Sequence, residues 1–230
     1  VKPEFDTFSD SYEDLLKDPM RDRFTGGSSE FFHTRKRDLI RAYFAKQRID
    51  TTAMIYLDLG CGKGELAGSL RTDFAKVCGC DPSEGMLKAT KGIETKVQQD
   101  PGVIPYPDAS FDFVTAVCVY HHVPIEARAA LTAEVHRVLK PGGTFAIIEH
   151  NPYNPVTRGI VKRTPVDADA ILLKPSETRS LMGRQGFAIR DLQYFLYFPE
   201  KLYRSLGALE TVFRGLPLGG QYAAFGARVK

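Results

Sequence analysis

No apolar run in this sequence approaches the ~18 residues that a membrane-spanning helix requires, so neither a transmembrane helix nor a membrane partner is expected. Charge of one sign is also scarce: 31 Lys and Arg stand against 28 Asp and Glu, a formal +3 over 230 residues. Affinity for a phosphate backbone needs many clustered cations. Here they are scattered, so no nucleic-acid partner is expected. The exception, Arg35-Lys36-Arg37, falls in an expected helix and reads as a solvated face. Cysteine is limited to Cys61, Cys78, Cys80 and Cys118, all in or beside apolar runs. The Cys78-Gly79-Cys80 spacing is too tight for a zinc knuckle and no matching His/Cys pair follows it, so no metal site is expected. Buried free thiols in a reducing cytoplasm are the expectation. The N-terminal stretch is acidic and has no apolar signal core, and the sequence contains no repeat and no low-complexity segment.

What is present is ordinary globular material, 43% hydrophobic and 26% charged, at a length that fits one large domain. A helix capped by Ser28-Ser29-Glu30 carries Phe31, Phe32, Leu39, Ile40 and Tyr43. Strands are expected at 54–59, 75–80, 95–99, 111–117 and 144–149, alternating with helices at 65–72, 83–91 and 125–139. That alternation implies right-handed crossovers and a parallel sheet covered on both faces. Past Glu149 the pattern changes. Residues 151–174 are rich in Pro and Asp and read as an irregular insertion. A helix at 176–185, a strand at 187–196, a helical stretch at 200–213 and a strand at 221–229 suggest an antiparallel pair at the sheet's edge.

The first strand runs into Asp58-Leu59-Gly60-Cys61-Gly62-Lys63-Gly64. A glycine-rich turn between strand and helix lets backbone approach a ligand closely, although a turn with no ligand has the same look. About twenty residues on, the second strand ends in Gly79-Cys80-Asp81-Pro82-Ser83, where an acid is placed to accept from both hydroxyls of a ribose. A helix cap is the plainer role for the same Asp. Dinucleotide enzymes share this logic, but their glycines fall as G-x-G-x-x-G, whereas here they fall as G-x-G-x-G. A pyrophosphate also has no use for the carboxylate of Asp58.

Together these segments resemble class I S-adenosylmethionine (SAM)-dependent methyltransferases. Leu57 to Gly64 resembles the family's first motif, Gly79 to Ser83 its second, and Gln99-Asp100 with Ile104 to Asp112 the segment from the third strand. Arg137-Val138-Leu139-Lys140-Pro141-Gly142-Gly143 resembles the turn before the fifth strand. The resemblance implies an α/β, Rossmann-like fold: a seven-stranded, mostly parallel sheet with helices on both faces and an antiparallel last strand. It implies SAM as cofactor, with Asp81 on the ribose and Asp100 on the adenine amino group. The intervening Pro101-Gly102 departs from the family pattern after that acid. The expected cofactor wall is Asp58, Gly60, Cys61, Gly62, Asp81, Pro82, Met86, Gln99, Asp100 and Cys118. The division that follows is a single domain over 1–230, with a helical cover (1–47), a SAM-binding core (48–150), an insertion or lid (151–175) and the rest of the sheet (176–230).

Substrates of open α/β sheets sit beyond the carboxyl ends of the strands. His121 and His122 follow the fourth strand and His150 the fifth, so all three are candidate general bases for an acceptor hydroxyl. Ordering of the loop is the plainer role of the His pair. Asn151-Pro152-Tyr153-Asn154 superficially suggests the DNA amino-methylating motif, but it follows the wrong strand and lacks that motif's second proline. The stretches 149–158, 167–173 and 216–222 resemble bacterial small-molecule methyltransferases, some associated with glycan or natural-product synthesis. Arg35 or Lys36 could meet the SAM carboxylate, and Phe31, Phe32 and His33 could cover the site. The expected function is methylation of a small-molecule acceptor, at oxygen. A macromolecular acceptor and a non-catalytic SAM-binding module are the alternatives.

Overall fold

The computed structural model describes residues 12–25 and 29–229. Ser28 of the expected cap, and residues 1–11 of the expected cover, lie outside the described residues.

Three helices open the chain: α1 (Tyr12–Leu15), α2 (Pro19–Thr25) and α3 (Glu30–Gln47). Helix α3 buries Phe31, Leu39, Ile40, Tyr43 and Phe44, an i, i+3/i+4 stripe, and ends at Arg48 in a left-handed conformation with φ 57°. The Arg35-Lys36-Arg37 run is not a solvated face. Arg35 and Lys36 are both buried, because Arg35 pairs with Glu210 and lies 3.8 Å over the Tyr203 ring, while Lys36 turns toward an internal cavity.

The central elements are β1 (Ile55–Leu59), α4 (Glu65–Ser69), β2 (Lys76–Asp81), α5 (Glu84–Leu87), β3 (Glu94–Val97), β4 (Phe111–Val117), α6 (Arg128–Val138) and β5 (Leu139–His150). Then come α7 (Pro155–Val161), α8 (Pro175–Arg184), β6 (Phe187–Phe195), α9 (Glu200–Leu206), α10 (Glu210–Phe213) and β7 (Gln221–Arg228). The seven strands form one sheet in the order β3-β2-β1-β4-β5-β7-β6. Every pairing is parallel except those of β7, which is antiparallel to both β5 and β6.

Side chains alternate between two cores, one on each face. Tyr56, Phe113, Ala146 and Ile148 point into an aromatic layer with Tyr43, Phe44, Phe74 and Phe225. Leu57, Val114, Phe145 and Ile147 point into the other, with Leu131, Val135, Val138 and Met182. A strand buried on both faces has no polar side, which is why these segments read as unbroken apolar runs.

Two elements depart from expectation. Strand β5 begins at Leu139 rather than 144, because Leu139 pairs with Phe111 and the Lys140-to-Gly143 turn bulges out before pairing resumes at Thr144. Lys140 Nζ anchors that bulge to Asp112 Oδ2 at 2.8 Å. The insertion is not wholly irregular: α7 starts at Pro155 and is capped by Asn154, whose Oδ1 accepts from Thr157 N at 3.0 Å. The strand order reverses between β1 and β4, so a crevice opens at their carboxyl ends, where open α/β sheets bind ligands.

Candidate functional site

The turn after β1 is fixed from below. Gly60 N and Cys61 N both donate to Cys80 O, at 2.8 and 3.1 Å, tying the turn to the end of β2. Gly60 and Gly62 adopt φ of +69° and +53°, which side chains resist. A Cβ on Gly60 would meet Val119 Cγ2 at 2.5 Å, whereas nothing lies within 4 Å of one on Gly62. The Gly62 backbone is therefore bare toward the crevice. Asp81, closing β2, accepts from Gly62 N through Oδ2 (2.9 Å) and from Ser83 N through Oδ1 (2.8 Å). Ser83 Oγ in turn caps α5 by accepting from Met86 N.

Asp58 is buried at the end of β1, where Thr115 Oγ1 donates to its Oδ1 at 2.6 Å and bonds Tyr56 OH at 2.7 Å. Burial pushes this carboxyl up to about 6, against the pull of the Thr115 hydrogen bond and the Lys36 charge. The turn glycines, a cleft-facing ribose-type acid and a buried carboxylate able to meet a cation make a set that fits SAM.

A second constellation lies beyond β4 and β5. Glu149, fully buried at the end of β5, accepts from Tyr120 N through Oε1 at 2.8 Å, and its Oε2 lies 2.6 Å from His121 Nδ1. A carboxylate only accepts, so Nδ1 carries the proton. Asp167 Oδ1 stands 3.4 Å from His121 Nε2 and 3.5 Å from His122 Nε2, and the His121 and His150 rings are 5.1 Å apart. Burial disfavours a charged His121, but the Glu149 and Asp167 carboxylates outweigh it and hold its pKa well above the ordinary value. His122 goes the other way, to about 4, through burial and then the His121 charge. Cys118, in a left-handed conformation (φ 55°), receives contacts from Gln221 Nε2 at 3.5 Å and Lys36 Nζ at 4.0 Å. Burial works against its thiolate, yet the Lys36 and His150 charges bring the pKa below the usual thiol value.

One cavity of about 870 Å³ joins the two constellations. Asp58, Gly60, Cys61, Gly62, Asp81, Pro82, Met86, Cys118, His121, His122 and His150 all line it. Its cover is largely apolar: Leu16 and Phe24 come from the N-terminal segment, Phe32 from α3, and Val156 and Ile160 from α7, with Arg21 of α2 and Thr157 of α7 among its polar members. Phe32 stacks on Phe24 at 6.4 Å. His33 also lines the wall, where burial lowers its pKa to about 3, and Lys36 lies beside it.

Several expected residues lie elsewhere. Gln99 and Asp100 are exposed and outside the cavity wall, which at this point is formed by Pro101 and Gly102. The Asp100 carboxylate is taken up locally, accepting from Gly102 N at 2.8 Å, so the Pro-Gly turn that departs from the family pattern draws the acid away. Arg35 is committed to Glu210, and Phe31 packs into the aromatic core. Tyr153 is exposed outside the cavity wall. Asn151 lies off the cavity wall and Asn154 on it, and both serve as staples: Asn151 Nδ2 donates to Pro217 O and Gly219 O, and Asn154 Nδ2 donates to Leu218 O. Glu149 and Asp167 join the site without being singled out by the sequence pattern. For Glu149 a signal exists, since a lone acid closes the apolar run 145–148 as Asp58 closes that of β1; Asp167 has none.

The comparisons match this architecture. A methyltransferase-domain family model matches residues 57–147, from β1 into β5. A ubiquinone biosynthesis O-methyltransferase of Xanthomonas oryzae is 33% identical over 181 residues, covering 70% of this chain and 73% of that protein. The chain belongs to the SAM-dependent methyltransferases. Within the family, a 27-O-demethylrifamycin SV methyltransferase of Amycolatopsis mediterranei is 37% identical over 101 residues. The chain spans 36% of that relative's length, and 48% of the length of another curated relative. A solved SAM-dependent methyltransferase from Aquifex aeolicus shares the fold, with a TM-score of 0.62 at 17% identity over 95% of this chain and 98% of that one. Among the described residues, no helix is long and apolar enough to cross a membrane.

Proposed function

We propose that this chain binds SAM and transfers its methyl group to a hydroxyl of an apolar small molecule. The observation that carries the proposal is the continuity of one cavity from Asp58 and Asp81 to the His121, His122 and His150 cluster. Asp81 holds the ribose hydroxyls, and the buried Asp58 carboxylate meets the ammonium of the amino-acid tail. Pro82 and Met86 give the adenine an apolar wall, with Pro101 and Gly102 beside it. SAM, when bound, supplies a methyl group already activated on a sulfonium. The chain has three remaining tasks: to hold the acceptor in line with that methyl, to exclude water and to take up the hydroxyl proton.

The histidine cluster provides the proton acceptor: His122, kept neutral by burial and by the His121 charge, takes the hydroxyl proton, while Glu149 and Asp167 hold His121 beside it. A volume near the upper end of the roughly 300–1,000 Å³ range of ligand clefts accommodates cofactor and acceptor together. The apolar cover from Phe24, Phe32, Val156 and Ile160 favours a natural-product-like acceptor over a glycan. The names of two relatives, a ubiquinone biosynthesis O-methyltransferase and a 27-O-demethylrifamycin SV methyltransferase, support oxygen as the acceptor atom and a small molecule as the acceptor.

A screen with methyl-labelled SAM against apolar phenols and hydroxylated metabolites, read by mass spectrometry, should yield an O-methylated product. With that acceptor, single-turnover rates of His121→Ala, His122→Ala and His150→Ala should include at least one loss of about 100-fold or more, the scale of general-base catalysis. Full rates in all three variants would remove the proton-acceptor role.

A further inference from the structure

Three donor atoms in the acceptor half form a set beyond what a single general base requires. His121, His150 and Asp167 each offer one, and these atoms all lie within 4.8 Å of one another. They come from three separate segments: the loop after β4, the end of β5, and the 3-10 turn Pro165–Asp167 inside the insertion. No local spacing in the sequence could reveal such a set, which is why the cysteine-based expectation of no metal site did not address it. Two imidazoles and one carboxylate suit the borderline divalent ions of the first transition series, and three protein ligands are the count that leaves a coordination position open.

His121 supplies the independent observation. The residue is 1% exposed, and its Nε2 has no hydrogen-bond partner, although Asp167 Oδ1 stands only 3.4 Å away. Bonds of roughly 2.0–2.2 Å to nitrogen and oxygen separate neighbouring tetrahedral ligands by about 3.3–3.6 Å. The Nε2 to Oδ1 distance already falls there, so bringing in His150 asks for a side-chain shift of ~1 Å. On the other side of the ring, Glu149 Oε2 engages Nδ1 at 2.6 Å. That is the carboxylate–histidine arrangement that fixes a ligating ring and aims its lone pair at the ion. His121 is the cationic partner of Glu149 and Asp167 in the metal-free chain, so ligation at Nε2 releases its proton and the divalent ion takes over the neutralisation of the two carboxylates.

We propose that His121, His150 and Asp167 bind a divalent transition-metal ion of the zinc class, with its open position facing the cavity that all three line. In methyl transfer that position would hold and polarise the acceptor oxygen. This role rests on the proposed function; the metal site itself does not.

The test uses the full chain, stripped with a chelator and titrated with Zn²⁺ by calorimetry and with Co²⁺ by visible absorption. One ion per chain at micromolar affinity or tighter is expected, with ligand-field bands for Co²⁺. Asp167→Asn and His150→Gln should each weaken binding by at least about 100-fold, while His136→Ala, on α6 and outside the cluster, should bind as the parent does. SAM titrations of the same proteins read the cofactor half separately, so loss of metal binding and failure of the methyltransferase reading are distinguishable. A parent protein that takes up no ion below about 100 μM overturns the proposal, whatever the variants do. So does affinity unchanged in both ligand variants. Either result would leave the cluster as a purely hydrogen-bonded network.

Discussion

Asp58 is a carboxyl group with no exposed surface to speak of, held at about 6 by desolvation against an ordinary 3.8. Because the folded-state value is the higher one, the unfolded chain gives up this proton first as pH rises. Asp58 therefore subtracts from stability progressively between about pH 4 and pH 6, and the loss is complete above that window. An ammonium bound beside it reverses the preference and holds the carboxylate ionised. SAM affinity should accordingly gain a pH dependence of up to about tenfold per unit below pH 6. Asp58→Asn should remove that component while weakening binding at pH 7.5. Calorimetric titrations of both proteins across pH 5–7.5 check this, and equal slopes would exclude Asp58 from the cofactor site. At this scale the gathering of Asp58, Gly60, Gly62 and Asp81 on one cavity wall was legible, because they sit at strand ends whose contacts are set locally. The place of Asp100 off that wall was not legible, for a local reason too: Pro101-Gly102 forms a turn that uses the carboxylate itself.

The strands were legible as elements because burial on both faces leaves a continuous apolar signature, as in Phe145 to Ile148. Strand β5's early start at Leu139 was not, since a bulge through Pro141-Gly142-Gly143 looks like a turn. Helix α7 was hidden for the opposite reason. Asn154-Pro155 is a helix start, but in a Pro-rich stretch it reads as one more loop signal. The Asn-Pro-Tyr-Asn segment proves to be a clamp between β5 and the loop before β7. Asn151 is fully buried, donating to Pro217 O at 3.0 Å and Gly219 O at 2.7 Å and accepting from Tyr153 N at 3.0 Å. Asn151→Ala strands all three partners and should cost about 1–3 kcal/mol, read as a lower urea midpoint at unchanged slope. An unchanged midpoint would mean that the clamp does not contribute to stability.

Across the whole molecule, the two halves of the cavity differ in how far apart their residues lie in the chain. The half proposed for SAM lies largely in one βαβ stretch, 57–87, which short motifs pick out. The half proposed for the acceptor is assembled from α3, the loop after β4, the end of β5 and the insertion, so Glu149 and Asp167 meet His121 only through the tertiary fold. The cover is likewise a joint product of the N-terminal helices and α7, linked where Arg163 Nε donates to Asp18 Oδ2 at 2.7 Å. That division explains why sequence motifs reach the wall at the ends of β1 and β2 but not Glu149 and Asp167.

The most direct test of the central claim is a calorimetric titration of the full chain with S-adenosylhomocysteine, the demethylated product, in parallel with Asp81→Ala. The account predicts one site per chain and a loss of about 10–100-fold in the variant, the worth of hydrogen bonds to a charged group. No saturable binding to the parent, or equal affinity in the two proteins, would contradict it.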